Sequence, residues 1–345
     1  IRVLELFWPN FFGTYFRSNA NWIDLIPLSD VRAKIWVPTL YMGCFSAILA
    51  LRAFSIRRGA AWRVWLSIIV VVTILGSLGP YTSPIWGARR FERATGVGWS
   101  GIGPLDPPDD PPLRRDRQLR DGDGGVYWAL SGMLPGFRQF RFPSKLMTFS
   151  VLGLAALAGF DWDDLDRGRR RGTIALAAVL LALTVGVLAS WLFGRAAIMR
   201  KFEAATLGSG FGPFEPAAAY RETTWSLVQA ASVLALGIVV LATAGRRPRL
   251  AGLAALALVS ADLAVANHRL ISTVPQAMFE VEPEAVKIIN EAERENPSDG
   301  PYRVHRMAIW NPLIWNAQAS DDRVRDFMEW EHATIQPKYG IVHGI

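Results

Sequence analysis

The chain has 345 residues with a net charge of +7, and 51% of them are hydrophobic against 19% charged. A soluble domain carries more charge, and here the apolar residues gather in long uncharged runs with arginines in the gaps, a pattern that argues against a nucleic-acid-binding surface. One cysteine, Cys44, and four scattered histidines exclude an intramolecular disulfide and give no support to a thiolate or histidine metal cluster.

The chain opens on Ile1 in aromatic sequence, LELFWPNFFGTYF, without a basic leader. That opening reads as the interior of a longer protein. It is too short, and too interrupted by Pro9, to cross a bilayer. Residues 1–34 are therefore expected to form an outer interfacial or re-entrant segment. Glu5 sits in it as a candidate cavity acid, whereas Asp24 and Asp30 read as solvated.

Six runs then meet the need for about 20 apolar residues per membrane crossing. The first is 35–51, extending to about Ser55 with Arg52 reaching out to the headgroups. The second, from residue 64, should stop at Gly79-Pro80, where proline removes a donor. The third, 146–160, becomes long enough if it starts at Phe142-Pro143, with Lys145 at the headgroups. Residues 173–193 and 223–245 carry no charge at all. The sixth, 250–267, holds Asp262, an acid that must face the bundle interior or a wet cavity and find a partner, such as an arginine, Asn267 or His268.

Charge placement orients these spans. The connectors 52–63, 161–172 and 244–249 hold Arg52, Arg57, Arg58, Arg63, Arg167, Arg169, Arg170, Arg171, Arg246, Arg247 and Arg249. With six spans all three fall on one side, and lysine and arginine in short loops mark the cytoplasmic side. Tryptophans flank the spans: Trp62 and Trp65 inside, Trp36, Trp191 and Trp225 outside.

The remaining segments then lie outside. Residues 80–141 are expected to be a turn-rich loop with a short interfacial helix, VYWALSGMLPGF, followed by a cationic rim of Arg138, Arg141 and Lys145. Residues 194–222 have a helical start and a glycine-rich LGSGFGPF without nucleotide-binding spacing. Glu203 and Glu215 read as solvated. The tail, 268–345, contains an amphipathic helix in EPEAVKIINEAEREN, a short strand at PYRVHRM around His305, and a further helix over 323–332.

The expected fold is thus an all-α polytopic membrane protein of about six transmembrane helices, arranged as spans in 35–79, 142–193 and 223–267, with outer loops and the start of a small α+β outer domain. The bacterial inner membrane is the expected location.

The run LPGFRQFRFPSKLMTFSVLGLAALAG over 134–159 resembles an element of the bacterial YfhO-like multispanning proteins, relatives of the GT-C glycosyltransferases. LFWPNFFG, SADLAVAN around Asp262, and QPKYGIVHGI are similar to other parts of that family. The resemblance implies transfer of a sugar from a polyprenyl-phosphate donor to a cell-envelope acceptor on the outer face. It also implies a catalytic acid in a first outer loop that this chain lacks. Asp262 and Glu5 are then the candidate catalytic carboxylates. Arg138, Arg141 and Lys145 are the candidate phosphate or lipid-head contacts. No cofactor is firmly implied, and a divalent metal finds no support in the residues. Membrane lipid, the lipid-linked sugar and other membrane proteins are the expected partners, with no nucleic acid. The competing reading is a non-catalytic scaffold or accessory subunit of a larger complex.

Overall fold

The computed structural model describes residues 2–15, 17–26, 39–56, 60–95, 123–134, 137, 143–165, 167–205, 212–271, 273–297, 312, 320 and 322–335. Among these the chain is helical and contains no strand. Arg138, Arg141, Asp30, Trp36, the glycine-rich 206–211 and the expected strand at 301–307 lie outside the described residues.

The helices are α1 Cys44–Ala53, α2 Ala61–Ser77, α3 Pro84–Thr95, α4 Val126–Met133, α5 Met147–Asp163, α6 Arg167–Phe193, α7 Arg195–Glu203, α8 Pro216–Ala244, α9 Pro248–Asn267, α10 Glu284–Glu295 and α11 Arg323–Ala333. Four segments are long and apolar enough to cross a membrane: Pro143–Asp163, Gly168–Phe193, Pro216–Ala244 and Pro248–Leu270. They correspond to the last four expected spans. Only 17–39% of each apolar window is buried within the protein. Their outward faces carry Val179, Leu183, Leu236, Val239, Leu253 and Leu256, all more than half exposed. A helix that is apolar all round and still turns large apolar side chains outward is built for lipid.

The helices in the first two expected spans are shorter than the other four. α2 ends at Ser77, just before Gly79-Pro80, as the proline requires. α1 has only ten residues, and residues 39–43 before it are not helical. Gly43 has φ of 91°, a left-handed conformation that stops the helix there. A helix not anticipated within residues 80–141 is α3. Its start follows from Ser83-Pro84: the Ser83 hydroxyl accepts the Ile85 N–H at 3.1 Å, and proline fits the first turn. The short helix expected in VYWALSGMLPGF is present as α4, with no buried residue and Trp128 and Met133 exposed. The tail helices α10 and α11 form where their apolar spacing and the Asp322 cap place them.

The protein divides into two compact units. Unit 1 comprises Ile1–Ala33, Ala182–Ser232 and Ala261–Ile345, and unit 2 comprises Lys34–Leu181 and Val233–Ser260. In unit 2, α5 is the central element, packed on both α1 and α2. Small residues permit the close approach. A Cβ at Gly153 would meet Val70, and one at Gly237 would meet the Phe45 ring, each at 2.7 Å. The arginine-rich connectors converge within this unit. Arg63 pairs with Asp164 at 2.6 Å, linking the first to the second. The Arg52 guanidinium lies over Gly172, and that of Arg170 over Gly245, which brings in the third.

In unit 1 the opening segment is packed into the protein, with Phe12 fully buried and Phe11 nearly so. Gly13, at φ of 79°, turns the chain so tightly that a Cβ there would collide with the Ala20 carbonyl. The folded-back strand of chain is pinned by Trp22 N–H donating to Phe12 O and Ala20 N–H donating to Thr14 O, both at 2.9 Å. Its aromatics continue into a cluster in which Trp22, Trp191, Phe202 and Tyr220 meet in tilted or stacked pairs at 5.5–6.1 Å. Trp191 is therefore not a free interfacial anchor. Its indole N–H donates to Thr224 Oγ1 at 3.1 Å.

Candidate functional site

Glu222 sits in the second turn of α8, one residue before the uncharged run that marked the fifth span. It is 7% exposed. Burying a carboxylate demands donors around it, and the opening segment supplies them. Glu222 Oε2 accepts the Thr14 N–H at 2.9 Å and the Thr14 hydroxyl at 3.1 Å. Oε1 accepts a long bond from Ser18 Oγ at 3.5 Å and faces Arg269 Nη1 at 3.3 Å. Arg269 lies just beyond the end of α9, so one carboxylate joins three stretches of chain.

Beside this pair is a narrow cleft lined by Pro9, Asn10, Thr14, Glu222, Trp225, Ser226, Gln229, Val265, Ala266, His268 and Arg269, with room for about one water molecule. Glu222, Ser226 and Gln229 recur at four- and three-residue steps and so share one face of α8. The Ser226 side chain is 2% exposed, and its Oγ has no hydrogen-bond partner among the described residues. Asn10 Oδ1 is likewise buried without a donor, although its Nδ2 donates to Ala266 O at 2.9 Å. Two unmet oxygen atoms in a cleft of this size call for a small polar group such as a water or a hydroxyl.

Threonines hold the walls. Trp8 donates to Thr184 Oγ1 at 3.1 Å, Trp22 donates to Thr223 Oγ1 at 2.9 Å, and Thr223 donates onward to Phe11 O at 3.0 Å. From the tail, Arg323 donates to Tyr15 O at 3.2 Å. Desolvation pushes the Arg323 guanidinium below its ordinary value, opposed by the carboxylates of Glu215 and Asp326.

Asp262 is 3% exposed and faces inward, as an acid within a span must. One partner is Gln229, whose Nε2 donates to Asp262 Oδ1 at 2.7 Å and to Asp262 O at 3.0 Å. Asn267 and His268, considered as its partners from the sequence, engage the backbone carbonyls of Leu263 and Val265. Asp262 does not itself line the cleft, but its partner Gln229 does. Glu5 is 2% exposed, in the same unit, and is not among the residues lining the cleft. Lys145 is exposed in unit 2, in the short 3-10 turn that leads into α5.

Two acids read as solvated are otherwise placed. Glu215 Oε1 accepts the Asn19 N–H at 3.1 Å. Burial pushes the Asp24 carboxyl above its usual value. Among the described residues no three His, Cys, Asp or Glu side chains gather as a metal site.

The residues at the centre of the cleft, Glu222, Arg269, Ser226 and Asn10, were not singled out from the sequence. The boundary of the fifth span was set at the first uncharged residue, which left Glu222 outside. The available signal was Pro216 followed by three alanines, a helix start that carries Glu222 into the same helix as the uncharged run.

Fold and site together define a class, a helical membrane protein with a polar cleft beside a buried carboxylate and guanidinium. No known protein family, no curated protein and no solved structure matches the chain.

Proposed function

We propose that this chain is the membrane-embedded part of a glycosyltransferase-like protein that moves a sugar from a polyprenyl-phosphate donor to a cell-envelope acceptor. The observation that carries the reading is the cleft, where a buried carboxylate and a guanidinium flank a space of hydroxyl size. In this reading the acceptor hydroxyl enters the cleft and Glu222 takes its proton. The acceptor oxygen bonds to the anomeric carbon as the carbon–oxygen bond to the phosphate breaks, and the departing phosphate keeps the electron pair. Arg269 offsets the charge that develops on it. Ser226 and Asn10 orient the hydroxyl. Asp262 braces the site through Gln229, and Arg138, Arg141 and Lys145 keep their proposed part as contacts to lipid phosphate.

The proposed topology has six crossings, with α1 and α2 completing the four longer spans. The arginine connectors face the cytoplasm of a bacterium, and the cleft and tail face outward. The convergence of three arginine-rich connectors supports that sidedness.

The test is transfer from a radiolabelled polyprenyl-phosphate sugar in reconstituted vesicles. Transfer by the wild-type chain that falls by about 100-fold or more in Glu222→Gln supports the reading, in the range expected for loss of a catalytic base. Transfer that survives the substitution overturns the role of Glu222.

One observation favours a second reading, that of a non-catalytic scaffold. Glu222 already accepts from Thr14, and it also faces Ser18 and Arg269. A carboxylate held this way ties three stretches of chain together. On that reading no donor is turned over, and Glu222→Gln releases a membrane protein that co-purifies with the wild-type chain.

A further inference from the structure

The connector end of unit 2 carries a second polar cluster, which the proposed transfer reaction does not use. Four guanidinium groups meet two carboxylates there. Arg63 is 8% exposed and pairs with Asp164 at 2.6 Å. Arg169 lies 3.3 Å from the same Asp164 oxygen and 3.7 Å from Asp161 Oδ1. Asp161 is 1% exposed at the end of α5. Those contacts engage both carboxylates, while Asp161 Oδ2 is buried without a hydrogen-bond partner among the described residues.

Arg52 and Arg170 make no direct ion pair among the described residues, although the Arg52 charge acts through space on the Asp161 carboxylate. Each is seated instead against bare backbone. A Cβ on Gly172 would lie 2.9 Å from Arg52 Nη2, and a Cβ on Gly245 would run into the Arg170 guanidinium. Two forked cations laid over glycine offer planar N–H donors, the geometry that phosphate oxygens accept.

The surroundings say where such a phosphate would come from. Trp62 and Phe160 lie with ring centroids 3.8 Å apart, and both are about 40% exposed. Trp65, one turn along from Trp62, is 65% exposed. Arg63 lies over the Trp62 ring at 5.4 Å. Exposed tryptophans beside the ends of apolar helices mark headgroup depth, so the oxygen acceptor available there is a lipid phosphate.

We propose that Arg52 and Arg170, with Arg169 beside them, form a binding site for the phosphate of an anionic phospholipid headgroup. The ion pairs of Arg63 and Arg169 fix the helix ends, and the two glycine-seated guanidinium groups grip the lipid. The site does not depend on the transfer reaction and stands or falls separately from it.

The experiment is electron spin resonance of the full chain in phosphatidylcholine vesicles, with spin-labelled phosphatidylglycerol compared with spin-labelled phosphatidylcholine. The wild-type chain is expected to immobilise phosphatidylglycerol preferentially. Arg52→Gln with Arg170→Gln should weaken that preference by roughly fivefold per arginine. Arg200→Gln with Lys201→Gln removes the same charge from exposed positions on α7 and should leave it unchanged. Gly245→Ala, which removes no charge, should weaken it by displacing Arg170. Inorganic phosphate at millimolar concentration should not displace the lipid.

No preference in the wild type overturns the proposal. An equal loss in the two charge-matched double variants also overturns it, because bulk charge would then account for the binding. Displacement by inorganic phosphate would reassign the site to a soluble anion. A double variant that no longer folds shows as lost helical circular dichroism, and Gly245→Ala then decides the matter.

Discussion

The Glu222 knot of unit 1 and the arginine cluster of unit 2 are both built from guanidinium and carboxylate, yet they do different work. In unit 1 a single nearly enclosed carboxylate takes most of its bonds from neutral donors, and those donors are some 200 positions away along the chain. In unit 2 cations outnumber acids, and Asp164 is half exposed. A carboxylate cut off from water depends on each of its donors, because a lost partner leaves a charge that nothing else solvates. A half-exposed acid can turn to water or a headgroup. Ion pairing therefore closes the first region and leaves the second open to ligands.

Glu222→Ala tests that contrast most severely. It should cost about 3 kcal/mol, since it strands Arg269 and the Thr14 N–H in one step. The thermal midpoint of the purified protein and a red shift of tryptophan emission from the Trp8, Trp22 and Trp191 cluster would report it. Gly237→Ala comes next. Its new methyl group must displace the Phe45 ring, at about 2 kcal/mol by the same thermal measurement. If the phenyl ring can swing aside, the loss vanishes and the packing of unit 2 is looser than that of unit 1.

Asp164→Asn should cost less than about 1 kcal/mol, because the pair it weakens is half solvated. A loss as large as that of Glu222→Ala would break the comparison, because the connector cluster would then be a knot of the same kind. Arg325→Ala ranks last. The Arg325–Glu329 pair at 2.7 Å is exposed at both side chains, and no measurable change in thermal midpoint is expected.

The spans show how far periodicity and composition reach. Lipid imposes one requirement on a crossing helix, a run of apolar residues, and that requirement is local in sequence. The uncharged run 173–193 falls inside α6, and 223–245 falls inside α8 except for its last residue, Gly245. Pro143 starts the first of the four long apolar segments, and Gly79-Pro80 follows the end of α2. In the first expected span α1 begins only after Gly43, because a backbone conformation, not a side chain, sets its start. Asp262 was legible as an inward-facing acid for the same local reason, the cost of its charge in lipid.

The cleft was not legible in this way. Thr14, Glu222 and Arg269 meet only after the opening segment turns at Gly13 and packs among the helix ends, and no spacing rule connects residues so distant in sequence. The tryptophans gave half an answer. Their placement near span ends was readable, but whether an indole N–H faces lipid headgroups or a threonine hydroxyl depends on which helix lies beside it.

What the sequence determined by itself is the solvent of each segment, since the free energy of moving a residue from water to hydrocarbon belongs to that residue and its near neighbours. What tertiary structure alone decided is which polar groups share a site. Burial makes every charge seek a partner, but the partner is chosen by packing, and packing is a property of the whole unit.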